Sequence, residues 1–87
     1  MSDVNTIFVT VRNRQGLVFE GDLKSVTSYN KLGRFDVLAM HENFITLIKD
    51  RLILGKKDGK TMEIPFTTGV LGVEGNKVEV FLGVGKI

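Results

Sequence analysis

The chain is punctuated at short intervals. Turn-forming residues recur at Gln15-Gly16, Gly21-Asp22, Asn30 to Gly33, Asp58-Gly59, Gly69 and Gly75-Asn76, and the runs between them are rich in Val, Ile, Phe and Thr. Several short strands separated by turn signals predict an all-β sandwich or barrel. The first run alternates, with Ile7, Val9 and Val11 on one face and Phe8, Thr10 and Arg12 on the other. The last does the same, Val78, Val80 and Leu82 opposing Glu79 and Phe81. Asp58-Gly59 and Gly75-Asn76 carry residues that tolerate the positive φ of a tight hairpin. Pro65 lacks a ladder donor, so its strand is an edge or bulges there. One stretch fits two periods. Across 36–52, Val37, Met40, His41, Phe44, Ile45, Ile48 and Leu52 also form a helical stripe with Asp36 as its N-cap, and pattern alone leaves helix and strand open.

Eighty-seven residues make one domain, with no internal repeat, low-complexity tract or dividing linker. A chain this short buries roughly 60% of its unfolded surface, too little for a deep active site. The absence of cysteine excludes disulfides and thiolate metal sites and fits a reducing compartment. No run approaches a membrane span, and 1-MSDVNTIF-8 lacks a signal-peptide layout. The chain reads as cytosolic and soluble. The 12 basic residues slightly exceed the 10 acidic ones. Lys49, Arg51, Lys56, Lys57 and Lys60 cluster against only Asp50 and Asp58, a pattern read first as a solvated face.

Chemistry finds little support. In 55-GKKDGKT-61 the two glycines enclose three residues rather than the four of a phosphate loop, and 61-TMEIPF-66 continues as a strand, so the segment reads as a hairpin turn. The acids Glu20, Asp22, Asp36, Glu42, Asp50, Glu63, Glu74 and Glu79 are scattered among turns and solvent faces. One histidine without cysteine makes a zinc site improbable, and Ser25 and Ser28 lack the glycines of a nucleophile elbow. Nucleic-acid binders of this size set aromatics among their basic residues. The basic cluster here has none, and Phe8, Phe19, Phe35, Phe44, Phe66 and Phe81 are dispersed as core residues are. No catalytic residue, cofactor, metal or small-molecule ligand is expected.

Three fragments in order, 16-GLVFEGDLKSV-26, 33-GRFDVLAMHENFITLI-48 and 69-GVLGVEGNKVEVFLG-83, resemble one family: the N-terminal β-sandwich of the epsilon subunit of F-type ATP synthases. They are similar to that family's G-x-V-F-x-G-x-x-x-x-V opening, its G-x-x-x-V-L-P-G-H-x-P-L-L-T-x-L segment and its G-G-x-L-x-V-x-x-N-x-V-x-V-L ending. The resemblance covers about residues 6 to 84. It implies a flattened sandwich of two antiparallel sheets, with 36–52 as loop and strand. It also implies a non-catalytic central-stalk (rotor) subunit that docks the gamma subunit onto the c ring and couples ion translocation to ATP synthesis. Such a subunit is peripheral at the cytoplasmic face, touches the membrane only through the c ring, and binds no nucleic acid. The alternative is a free-standing small β-domain binding a peptide or nucleic acid.

By the same resemblance, His41 and Thr46 match family positions facing gamma, and Arg34 with Phe35 lies in a loop facing the c ring. His41 is then a docking or loop-bonding residue, not a catalyst. This chain departs from the pattern in three places. Ala39-Met40 stands for Pro-Gly, Arg34 for a frequent acidic residue, and Thr68 for a second glycine before Gly69. The sequence ends at 83-GVGKI-87, where most relatives continue into a helical hairpin. The expectation is therefore a single domain over 1–87 without that hairpin's inhibitory switch.

Overall fold

The computed structural model describes residues 5–83. Seven strands follow one another as β1 (Ile7–Asn13), β2 (Gly16–Leu23), β3 (Ser25–Asn30), β4 (Gly33–Val37), β5 (Phe44–Gly55), β6 (Thr61–Glu74) and β7 (Lys77–Leu82). Their hydrogen-bonded order is β2-β1-β7-β6-β5-β3-β4, with every pair antiparallel except β1 with β7. Among the described residues there is no helix, so none is long and apolar enough to cross a membrane. The stretch over 36–52 is the end of β4, a loop and the first part of β5, not a helix.

The sheet becomes a sandwich because its two longest strands change layer halfway. In β5, Lys49 pairs with Thr68 and Arg51 with Pro65, so Asp50 alone faces Phe66 and Thr67. Such a bulge bends and twists a strand, and Asp50 adopts φ 80° to make it. The extra residue switches the inward set of β6 from Met62, Ile64 and Phe66 to Gly69, Leu71 and Val73. It also moves β6 into new company. Residues 69–74 have β7 beside them, whereas 61–65 pair with β5 alone. Pro65 therefore sits both on an edge and beside a bulge, the two places a strand proline is tolerated. Buried Ser28 donates its hydroxyl to the Arg51 carbonyl at 2.8 Å where the β3–β5 register slips, giving that carbonyl a partner the disturbed ladder leaves out.

Inward residues of both layers form one cluster: Ile7, Val9, Val11, Leu23, Val26, Val37, Ile48, Leu52, Leu54, Leu71, Val73, Val78, Val80 and Leu82. It is wholly aliphatic, which corrects the placing of the phenylalanines. Phe19, Phe35, Phe44 and Phe66 pack at its margin, while Phe8 and Phe81 are exposed. Inner faces of a sandwich lie about 10 Å apart, a gap that opposed aliphatic side chains fill, and the bulkier rings take the rim.

Two glycines also sit where sequence reading marks breaks. Gly21 lies within β2 and Gly69 within β6. A Cβ at Gly69 would come within 2.7 Å of the Phe81 carbonyl oxygen, so that glycine permits a close approach rather than a turn. Gly75, by contrast, does make the β6–β7 turn, with φ 63° between paired Glu74 and Lys77.

Candidate functional site

Two strand edges come together on one side of the sandwich. β4 pairs only with β3, and residues 44–48 of β5 pair only with β6. Phe35 from β4 and Phe44 from β5 both point inward at this opening, and their rings meet edge to face with centroids 5.8 Å apart. The His41 ring lies 5.1 Å from that of Phe44, which extends the pair into a row of three. Contacts of this geometry add roughly 0.5–1.5 kcal/mol beyond area burial. The His41 Nδ1–H donates to the Glu42 carbonyl at 2.8 Å, and this sets the ring plane.

The loop over 38–43 is stapled to the opposite turn. The Met40 N–H donates to Asn76 Oδ1 at 2.8 Å, and the Gly75 N–H donates to Asn43 Oδ1 at 2.8 Å. Neither asparagine stands out in the sequence beyond its turn propensity, because the exchange is made 32 to 36 residues apart. Thr46 lies two residues past Phe44 on the same inner face of β5. Its hydroxyl accepts from Asn30 Nδ2 at 3.2 Å and donates to the Leu47 carbonyl at 3.2 Å. His41 and Thr46 are thus held by separate partners, the first by the aromatic row and the second by the β3–β4 turn.

Arg34 and Phe35, expected in a loop, are instead strand residues of β4, because 33–37 pairs with β3, and they point to its opposite faces. Phe35 belongs to the aromatic row. Arg34 is on the outer face, paired across β3 with Tyr29 and 3.7 Å from Asp36 through Nε. With both side chains more than half exposed, that ion pair contributes at most about 1 kcal/mol. Asp36 is held more firmly by the Thr27 hydroxyl, which donates to Oδ1 at 2.6 Å.

Sequence reading missed one contact on this face. Arg51 donates from Nη2 to the Tyr29 hydroxyl at 3.1 Å and stacks 5.4 Å above its ring, so the basic run does meet an aromatic, brought in by a neighbouring strand. The hydrogen bond and charge interaction with Tyr29 raise the Arg51 pKa above its ordinary value. Arginine keeps its charge at any ordinary pH with or without such contacts.

The exposed apolar residues are the other surprise. Ile45 and Leu47 are 78% and 74% exposed on the outer face of the β5 edge, and Leu38 and Met40 in the adjoining loop are 52% and 80% exposed. Beside Ile45 a shallow groove of about 680 Å³ runs past Phe44, Gly72, Val73 and Glu79. Among the described residues no group of three or more His, Cys, Asp or Glu could hold a metal ion.

A fold this small, with an aromatic row at an open edge and large apolar side chains outside it, offers a surface suited to contact with another macromolecule. The comparisons identify the family. The family described as "ATP synthase, Delta/Epsilon chain, beta-sandwich domain" matches residues 6–83, and the chain belongs to that family. The ATP synthase epsilon chain of a Nitratiruptor species is 33% identical over 75 residues, which is 85% of this chain and 58% of that protein. The epsilon chain of Campylobacter fetus subsp. fetus is 29% identical over 80 residues, 91% of this chain and 62% of that one. The chain thus spans somewhat over half the length of these relatives.

Among solved structures, a chain of the Euglena gracilis mitochondrial ATP synthase (OSCP/F1/c-ring, rotational state 1) superimposes with TM-score 0.83 at 19% identity, over 88% of this chain and 50% of that one. A chain of the Tetrahymena thermophila mitochondrial ATP synthase central stalk and c-ring does so with TM-score 0.71 at 12% identity, over 87% and 62%. At these identities the likeness is one of fold.

Proposed function

We propose that this chain is a non-catalytic epsilon-type subunit of an F-type ATP synthase, held in the central stalk between the gamma subunit and the c ring. The family match over 6–83 carries the reading. The geometry adds support in the form of an edge equipped for docking. His41, Phe44 and Phe35 form a stiff row, since rings carry few rotatable bonds and lose little entropy when covered. Exposed Ile45 and Leu47 flank that row and offer apolar area to whatever covers it. In this reading gamma lies against the edge that holds His41 and Thr46. The c ring lies toward Arg34, on the outer face of β4. The subunit's chemistry is mechanical: it transmits torque and position, while ion translocation and ATP synthesis occur on other chains. It sits peripherally at the cytoplasmic face and touches the membrane through the c ring alone.

Tagging the chain in its own organism and solubilising the membranes tests this directly. Co-purification of gamma and the c ring is the expected result. Recovery of the synthase without this chain would refute the assignment. Steeply salt-dependent capture of oligonucleotides instead would support the free-standing binding domain.

A further inference from the structure

The loop over 38–43 joins β4 to β5 with little packing of its own. None of its residues is fully buried, and only Ala39 and His41 are half-buried. What fixes it is a reciprocal exchange with the β6–β7 turn. The loop gives one backbone donor, the Met40 N–H, to Asn76 Oδ1, and one side-chain acceptor, Asn43 Oδ1, to the Gly75 N–H, each at 2.8 Å. The turn is the firm side of this exchange, because the Asn76 carbonyl also accepts from the Phe8 N–H of β1 at 2.8 Å. Both asparagine bonds are exposed, so water competes for every group and each bond adds only modestly to stability. Against them stands the backbone of Met40. Its φ of 68° lies in the left-handed region, where a Cβ crowds the following carbonyl oxygen at a cost comparable with one or two such bonds. The Met40 side chain recovers none of that cost, being 80% exposed.

We propose that this loop is a latch. The two asparagine bonds form and break as a unit, and the strain at Met40 keeps the closed form only modestly favoured, so the loop opens while the sandwich stays folded. The reciprocal pattern requires the coupling. Met40 and Asn43 lie three positions apart on one short segment, and a loop that lifts from Asn76 carries Asn43 away from Gly75. Opening also lets Met40 return to an ordinary backbone conformation, so relief of strain accompanies loss of the bonds. The latch governs the aromatic row. Phe35 and Phe44 belong to strands and keep their contact, whereas His41 is held against Phe44 by the loop alone. Closed, the row has three rings; open, it has two. The β6–β7 turn thereby sets the shape of an edge to which it contributes no ring. The device is a property of the free chain and holds whatever lies against that edge.

Amide hydrogen exchange followed by NMR tests the latch in the chain itself. Buried Val80 in β7, with a strand on either side, is the reference for opening of the whole fold. In the unaltered chain the Met40 and Gly75 amides, corrected for their intrinsic rates, should be protected to within about threefold of one another, and both should exchange at least about a hundredfold faster than Val80. Met40→Gly, which accepts the same φ without strain, should slow exchange at Gly75 about tenfold. Asn43→Ala should speed exchange at Met40 about fivefold or more, although the Met40 partner Asn76 is untouched. Asn76→Ala should move the His41 ring-proton shifts toward those of an unstructured histidine, as the ring current of Phe44 is lost. An unprotected Met40 amide in the unaltered chain overturns the latch. So does exchange of Met40 and Gly75 at the rate of Val80, which would mean that the loop opens only with the whole fold. Indifference of Gly75 to Met40→Gly, or of Met40 to Asn43→Ala, would show two independent bonds and overturn it equally. Unmoved His41 shifts in Asn76→Ala would overturn its control of the row.

Discussion

At the scale of single residues, the one histidine has uses that require no chemistry. His41 stacks on Phe44 and donates to the carbonyl of the next residue. Removing the ring as His41→Ala should destabilise the isolated domain by about 1 kcal/mol, readable as a fall in the urea midpoint before any partner is present. A midpoint that does not move would mean that the ring contributes nothing to its own fold. Asp50 offers a cleaner case, since it holds φ 80° opposite the extra residue of β6 at the β5–β6 bulge. Asp50→Gly should be within about 0.5 kcal/mol of the unaltered chain, because the gain in permitted backbone offsets the added freedom of the unfolded state. Asp50→Ala should cost about 1 kcal/mol, because alanine brings a Cβ to that φ without aspartate's tolerance of it. Equal stability of the two variants would show that the bulge relaxes once Asp50 is gone. Asp50 is marked in the sequence by nothing but ordinary composition. A bulge is a property of two strands in register, and one strand alone does not display it.

At the scale of elements, the strands that alternate cleanly are those with one face wholly in the core. β1 and β7 place Ile7, Val9, Val11, Val78, Val80 and Leu82 inside, and their period of two is legible without the structure. The ambiguity over 36–52 has a physical source. Two members of the apparent helical stripe, Met40 and Ile45, are 80% and 78% exposed, so that pattern mixes core residues with surface ones. Apolar residues exposed at the surface corrupt the periodicity by which a core is recognised. Gly69 is misleading in the opposite way: it resembles punctuation and is in fact a point of close approach between β6 and β7. Gly69→Ala would push a Cβ to 2.7 Å from the Phe81 carbonyl oxygen and 3.2 Å from Ile48 Cγ1. Both neighbours belong to packed strands, so the substitution should cost about 2 kcal/mol or more. Thermal unfolding checks it. A midpoint within about a degree of the unaltered chain would show that these neighbouring strands are packed more loosely around Gly69 than this geometry requires.

At the scale of the whole molecule, the edge strand β4 divides two surfaces. Phe35 joins the ring row at the opening, and its neighbour Arg34 stands on the outer face beside Tyr29 and the Arg51 stack. The aromatic row itself is a tertiary fact. Phe35 and Phe44 are nine positions apart in the sequence, and only the pairing of two edges brings them together. If the two faces hold two partners as proposed, their independence is testable by charge and apolar substitutions made separately. Arg34→Glu should weaken association with detergent-solubilised c ring several-fold at low salt and progressively less as salt rises, because screening suppresses exposed charge pairs. Its gamma affinity should be unchanged. Phe44→Ala should do the reverse, lowering gamma affinity with little dependence on salt, since the lost contact is apolar. The double variant should show the sum of the two single effects to within about 0.5 kcal/mol if the surfaces are independent. A larger departure from additivity would mean that gamma and the ring meet one another across β4, so that this chain would act less as a spacer between two partners than as a wedge within a single interface.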